Sequence, residues 1–256
     1  MDVKIRLIAR HYSLCLGLVE SGHMATSPIN LFNSVHDRAE EFLGLSTKGR
    51  KPDDDLRAAI VFAVTAIDVY FHVKIVKFFR EKQKQEKNFD LPEKARELIQ
   101  GVVAKDLTGS NFDSLTKTKQ QLIKSACLKS NSSLLSYLEE SLEKRSFQSI
   151  GAMSDAMEIM GHTPQEIWGK FDSSTKIKTT LKKKKMGRPK KIKPGAKIDA
   201  KVQLTKLFDR RQGIIHAADV PLRGQSAGKP NGISGPTVKK WLKYSKEAVH
   251  KINELI

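Results

Sequence analysis

Three consecutive acids, Asp53-Asp54-Asp55, lead into a stretch whose apolar residues recur at helical spacing: Ile60, Ala63, Val64, Ile67, Phe71, Ile75, Val76 and Phe78. Negative charge suits the positive end of a helix dipole, and one of the three acids can cap it. The pattern holds until the charged run 80–87. A helix this long and this apolar constrains the rest of the chain, because its surface has to be covered by other elements. Those elements read as helices too. Segment 28–45 places Phe32, Val35, Ala39, Phe42 and Leu43 on one side, and Pro92 starts a shorter helix through Val103. A helical stretch runs over 112–144, bent or split at 130–133, and 149–160 and 164–171 form two short helices. Segment 200–218 is stopped before Pro221, and a last helix follows Pro236 with Val238, Trp241, Leu242, Ser245, Val249, Ile252 and Leu255 in period. No segment alternates like a strand and none repeats. The fold class predicted is all-α.

With 256 residues, 39% of them hydrophobic, the chain can bury a real core. Its formal net charge of +18 points to a polyanionic partner, nucleic acid before a membrane surface. The excess is local: segment 176–197 holds ten Lys and one Arg and no acid. Cys15 and Cys127 are too few and too far apart for a metal knuckle or a disulfide framework, so a reducing cytoplasm and no metal are expected. No run is expected to reach the roughly 18 apolar residues of a membrane span. Apolar segment 5–19 is broken by Arg6, Arg10 and His11, against a cleaved signal peptide. Ser21-Gly22-His23-Met24 looks like an expression-vector junction, which would place the natural start at Met24.

The chemistry concentrates in Asp209-Arg210-Arg211-Gln212-Gly213-Ile214-Ile215-His216-Ala217-Ala218-Asp219. Arg can hold a phosphate through two parallel N–H bonds, and His can move a proton near neutral pH. On a regular helix Asp209, Gln212, His216 and Asp219 share a polar face, with Leu204, Phe208, Ile215 and Ala218 turned to the core. Arg211 and His216 stand about 140° apart at 100° per residue. A shared phosphate site then needs the Arg to wrap, the helix to loosen at Gly213, or a second chain to complete the pocket. A surface helix whose Arg and His are merely solvated, ion-paired or capping has the same spacing.

Arg211-Gln212-Gly213-Ile214-Ile215-His216 resembles the R-x4–6-H motif of the HEPN superfamily, and the wider frame from Asp209 to Asp219 resembles its RiboL-PSP-HEPN branch. Segment 56–70 is similar to that branch's first long helix. The resemblance spans about 53–219 and is patchy between the two motifs. It implies a dimerising helical bundle that sets two such motifs in one cleft, in many members a metal-independent endoribonuclease without cofactor, in a toxin–antitoxin or phage-defence setting. Arg211, His216 and Gln212 would carry the chemistry. Gln212 departs from the Asn, Asp or His common at its position but keeps a polar group there. Some members only bind RNA or dock a partner such as an antitoxin. A non-catalytic nucleic-acid-binding or partner-docking scaffold is therefore the alternative function.

Asp68, beside the apolar stripe of the long helix, either pairs with a lysine such as Lys74 or with a helix end, or faces the motif cleft and orients His216 or Arg211. Arg57 opposes the dipole in the first turn of that helix, which argues for a tertiary task such as pairing with a carboxylate or phosphate. His72 and His162 read as ordinary. In the basic tract, Lys182, Lys183, Lys184, Lys185, Arg188, Lys190, Lys191 and Lys193 are the nucleic-acid-binding candidates, taking RNA or DNA with steep salt dependence. Gly187-Arg188-Pro189 resembles the centre of an AT-hook, but Met186 stands where the hook has Arg. The expected layout is an N-terminal extension (1–27), the first part of a HEPN-like bundle (28–174), a basic and flexible linker or arm (175–197), and the motif-bearing and C-terminal helices that complete the bundle (198–256).

Overall fold

The computed structural model describes residues 27–47, 52–85, 90–109, 111–118, 120–121, 131–174, 200–216 and 231–256. The basic tract and Asp219 lie outside these residues, as does the side chain of His216. Among the described residues the chain is all-helical: α1 (Pro28–Leu45), α2 (Pro52–Gln85), α3 (Glu93–Thr108), a 3-10 turn (Phe112–Ser114), α4 (Asn131–Glu143), α5 (Ile150–Ile159), α6 (Pro164–Ser174), α7 (Ala200–His216) and α8 (Gly235–Leu255).

The sequence rules for helix ends are visible in the coordinates. Ser27 caps α1 by accepting from Asn30 N at 3.2 Å, with Pro28 behind it. Ser149 caps α5 through Ala152 N at 3.1 Å. Gly109 closes α3 with φ +65° and an N–H donated to Lys105 O, a backbone conformation that favours glycine. One expectation shifts: α2 begins at Pro52, so Asp53, Asp54 and Asp55 fill its first turn and stabilise its positive end from within. Another concerns 112–144, where a 3-10 turn stands at Phe112–Ser114 and α4 starts at Asn131, inside the expected bend.

Helix α2 is the axis of the bundle. It packs against α1, α4, α5, α7 and α8, and from Ala59 to Val73 all but Thr65 are buried. Around it, Phe32 meets Tyr70 edge-on at 6.3 Å, Phe42 stacks on Phe62 at 5.3 Å, and Phe71 meets Phe147 at 5.9 Å. The Tyr70 hydroxyl donates to Asn253 Oδ1 at 3.2 Å, tying α2 to the end of α8, and burial pushes its pKa well above the usual range. Contrary to expectation, α2 is long and apolar enough to cross a membrane by length and composition. An 18-residue window has mean hydropathy 1.8, and 89% of it is buried inside the bundle.

Candidate functional site

The motif helix α7 lies against α2, α5 and α8. Ala200, Leu204, Leu207 and Phe208 are buried, and Ile214 packs partly against the core. Asp209 and Gln212 are exposed on the opposite face, as the 3.6-residue period requires. The expectation for Ile215 is corrected: it is 43% exposed, and Ile214 is the inward residue, because the stripe runs 200, 204, 207, 208, 211, 214. Arg211 therefore falls on the inward stripe, half-buried with its Nε covered. The helix runs unbroken through Gly213 to His216, so no loosening occurs there. Within one chain the motif positions stay about 140° apart.

The residue beside the motif Arg is tied down. Arg210 Nη2 donates to Asn231 O at 3.0 Å and to Gly232 O at 3.4 Å, just ahead of α8. Arg57, from the first turn of α2, donates to the same Asn231 carbonyl at 3.1 Å and pairs with Asp54 at 3.3 Å. Two guanidinium groups from separate helices thus share one backbone oxygen and join the starts of α2 and α8 to the motif helix. The tertiary partner of Arg57 is this backbone carbonyl rather than the carboxylate or phosphate expected, and its carboxylate partner Asp54 lies three residues before it on the same helix. Asn231 was not foreseeable, because a backbone acceptor has no sequence signature.

Asp68 is fully buried and does not pair with Lys74, whose ammonium points to Asn253 Oδ1 at 3.5 Å. One Asp68 carboxylate oxygen accepts from the Phe147 N–H and the other from Gln148 Nε2 at 3.0 Å. The carboxylate thus holds the segment that joins α4 to α5. His72, one turn on, sits with Nδ1 2.8 Å from Asp68 O and 3.8 Å from Asp68 Oδ1, and Nε2 3.0 Å from Leu142 O. Each ring nitrogen thus faces a backbone carbonyl, one on α2 and one near the end of α4. His72 is therefore part of the same clamp rather than an ordinary residue. His162 rests near Phe78 with its pKa lowered, first by burial and then by Lys74.

A second cluster lies between α1 and α8. His36 is fully buried, with Nε2 3.1 Å from Leu242 O and 3.0 Å from Ser245 Oγ. Its Nδ1 faces Glu40 Oε1 at 3.5 Å. The Lys246 ammonium lies 3.3 Å from Glu40 and 3.5 Å from Asp37. Burial pushes the His36 pKa below its usual range, and the Glu40 charge opposes this to a lesser degree. Beyond Glu40 and Lys246 a groove of about 770 Å³ opens between the end of α1 and the start of α8, floored by Leu43, Pro236 and Leu242. Comparisons with known proteins match the chain to no family model, no curated protein and no solved structure.

Proposed function

We propose that the protein is a HEPN-type, metal-independent endoribonuclease that acts as a homodimer, in a toxin or phage-defence role. The observation that carries the reading is the two-sided character of α7. One unbroken helix anchors Leu204, Leu207 and Phe208 in the bundle, exposes Asp209 and Gln212, and holds Arg211 at the boundary. Arg211 grips the scissile phosphate and offsets the charge that develops on it. His216 takes the 2′-hydroxyl proton or protonates the leaving oxygen, and its counterpart in the second chain does the other task. The bond cleaved is P–O5′, the bond formed is P–O2′, and the product carries a 2′,3′-cyclic phosphate. Gln212 lines the cleft. The deciding experiment incubates the purified protein with total RNA in EDTA beside a His216→Ala control.

The two-chain cleft follows from the 140° between the motif positions, which one straight helix does not focus on one phosphate. Ile215, exposed one turn from Gln212, supplies apolar surface for that contact. Ile215→Glu is expected to convert a dimer to monomer in light scattering at micromolar concentration, with cleavage lost alongside. A monomeric parent that still cleaves RNA would remove the two-chain cleft.

Affinity for RNA is assigned to the basic tract, with DNA as a second polyanion it would accept. Deleting residues 180–194 removes Lys182 to Lys185, Arg188, Lys190, Lys191 and Lys193, eight cations. With a slope of about −0.7 to −0.9 per phosphate neutralised, the plot of log affinity against log salt should flatten by roughly three to five units. The bundle should stay folded and keep cutting short RNA. Loss of all activity would favour the alternative of a non-catalytic nucleic-acid-binding scaffold, and an unchanged slope would make the tract a mere linker.

A further inference from the structure

The buried imidazole of His36 has one assigned hydrogen. Leu242 O can only accept, and the Ser245 hydroxyl already donates to that same carbonyl at 2.8 Å, leaving Oγ as an acceptor. Nε2 therefore carries the proton. Nδ1 is buried without a hydrogen-bond partner and aims at the Glu40 carboxylate. A lone pair facing a carboxylate is repulsive unless something positive stands between them.

The surrounding geometry has the features of a metal site. A ring N–H donated to a backbone carbonyl is the usual outer support of a metal-bound histidine, whose opposite nitrogen is the ligand, and here that nitrogen faces Glu40. His36 and Glu40 are one turn apart on the same face of α1, and the candidate ligand atoms of His36, Asp37 and Glu40 all lie within 4.8 Å of one another. Two ligands of a tetrahedral zinc, each about 2.1 Å from the ion, stand roughly 3.4 Å apart. Nδ1 and Oε1 are 3.5 Å apart. The Lys246 ammonium, bridging Asp37 and Glu40 at 3.5 and 3.3 Å, marks where positive charge is already attracted.

We propose that His36 Nδ1, Asp37 and Glu40 form a binding site for a divalent metal of the zinc class, with Lys246 as a resident cation that the metal displaces. One imidazole and two carboxylates suit zinc better than magnesium, which prefers all-oxygen shells. The site is separate from the motif helix. Lys246 lies eleven residues, roughly 16 Å at 1.5 Å per residue, along α8 from Gly235, the end nearer the carbonyls that hold Arg210. A metal here would stiffen the α1–α8 contact through the His36–Leu242 bond, and RNA cleavage in EDTA would proceed without it.

Calorimetric titration of the full chain with Zn²⁺ tests the proposal. Asp37 and Glu40 are exposed, so their variants should fold, whereas a change at buried His36 would also disturb packing. The expected result is one zinc site that E40Q and D37N/E40Q weaken by at least about tenfold, a typical effect for metal-site residues. The exposed control E254Q should bind like the parent, and K246M should bind more tightly once the competing ammonium is gone. Zinc affinity unchanged by E40Q and D37N/E40Q would overturn the proposal, as would a parent protein that binds no zinc at millimolar metal.

Discussion

Replacing His216 with Ala is expected to lower RNA cleavage by about 10²–10⁴-fold, the usual contribution of a positioned general acid or base. The melting temperature should stay near that of the parent, because His216 is the last residue of α7, beyond the buried anchors Leu204, Leu207 and Phe208. Arg211 needs a gentler change. It shares the inward stripe with Leu207 and Ile214, so Arg211→Ala would strip packing along with charge. Arg211→Lys keeps the charge and loses the two-pronged grip on phosphate. Cleavage at the parent rate by both His216→Ala and Arg211→Lys would place the chemistry elsewhere in the chain. Early melting of His216→Ala would mark it as a structural residue.

Asp68→Ala should be the most destabilising single change at a polar position, by about 3–5 kcal/mol, the typical cost of removing one member of a buried charged network. Three groups lose their anion together: the Phe147 N–H, Gln148 and the His72 ring. Total stabilities of about 5–15 kcal/mol leave little margin for a loss of that size. Asp68→Asn retains one acceptor and should cost less, about 1–3 kcal/mol. Urea denaturation with matched slopes measures both. A loss below about 1 kcal/mol for Asp68→Ala would show that the clamp carries little of the fold.

Much of the fold was legible because local rules govern it. Pro28, Pro236 and the acids after Pro52 are signals read within a few residues, and α1, α5 and α8 begin and end within a residue or so of the expected bounds, whereas α3 runs past the expected Val103 to Thr108, where Gly109 closes it. The arrangement around Asp68 was not legible. Its partners lie 79 and 80 residues away, one of them a main-chain amide that any residue would provide. Arg57 announced itself by opposing the helix dipole, while the carbonyl that receives it did not. On α7 the period assigned Leu204 and Phe208 correctly, but of two adjacent isoleucines near the helix end it turned the wrong one, Ile215, inward. His36 was passed over, since a single His among helix-face acids looks like an ordinary surface pattern until its burial is known.

Helix α2 has a consequence for how the fold is specified. Apolar on nearly every side from Ala59 to Val73, it resembles a greased rod, and grease alone does not determine how a rod is turned. Sliding it by one residue would rotate it by 100° and shift it 1.5 Å, still presenting hydrocarbon to most neighbours. What changes is the direction of its few polar groups, the Asp68 carboxylate foremost, with the His72 ring and the Tyr70 hydroxyl. In the observed setting Asp68 meets two donors; in a slipped setting it would stand bare in an apolar interior, at a cost that excludes that state. The Asp68 carboxylate therefore acts as the key in the keyway, favouring the rotation of α2 in which its two donors meet it.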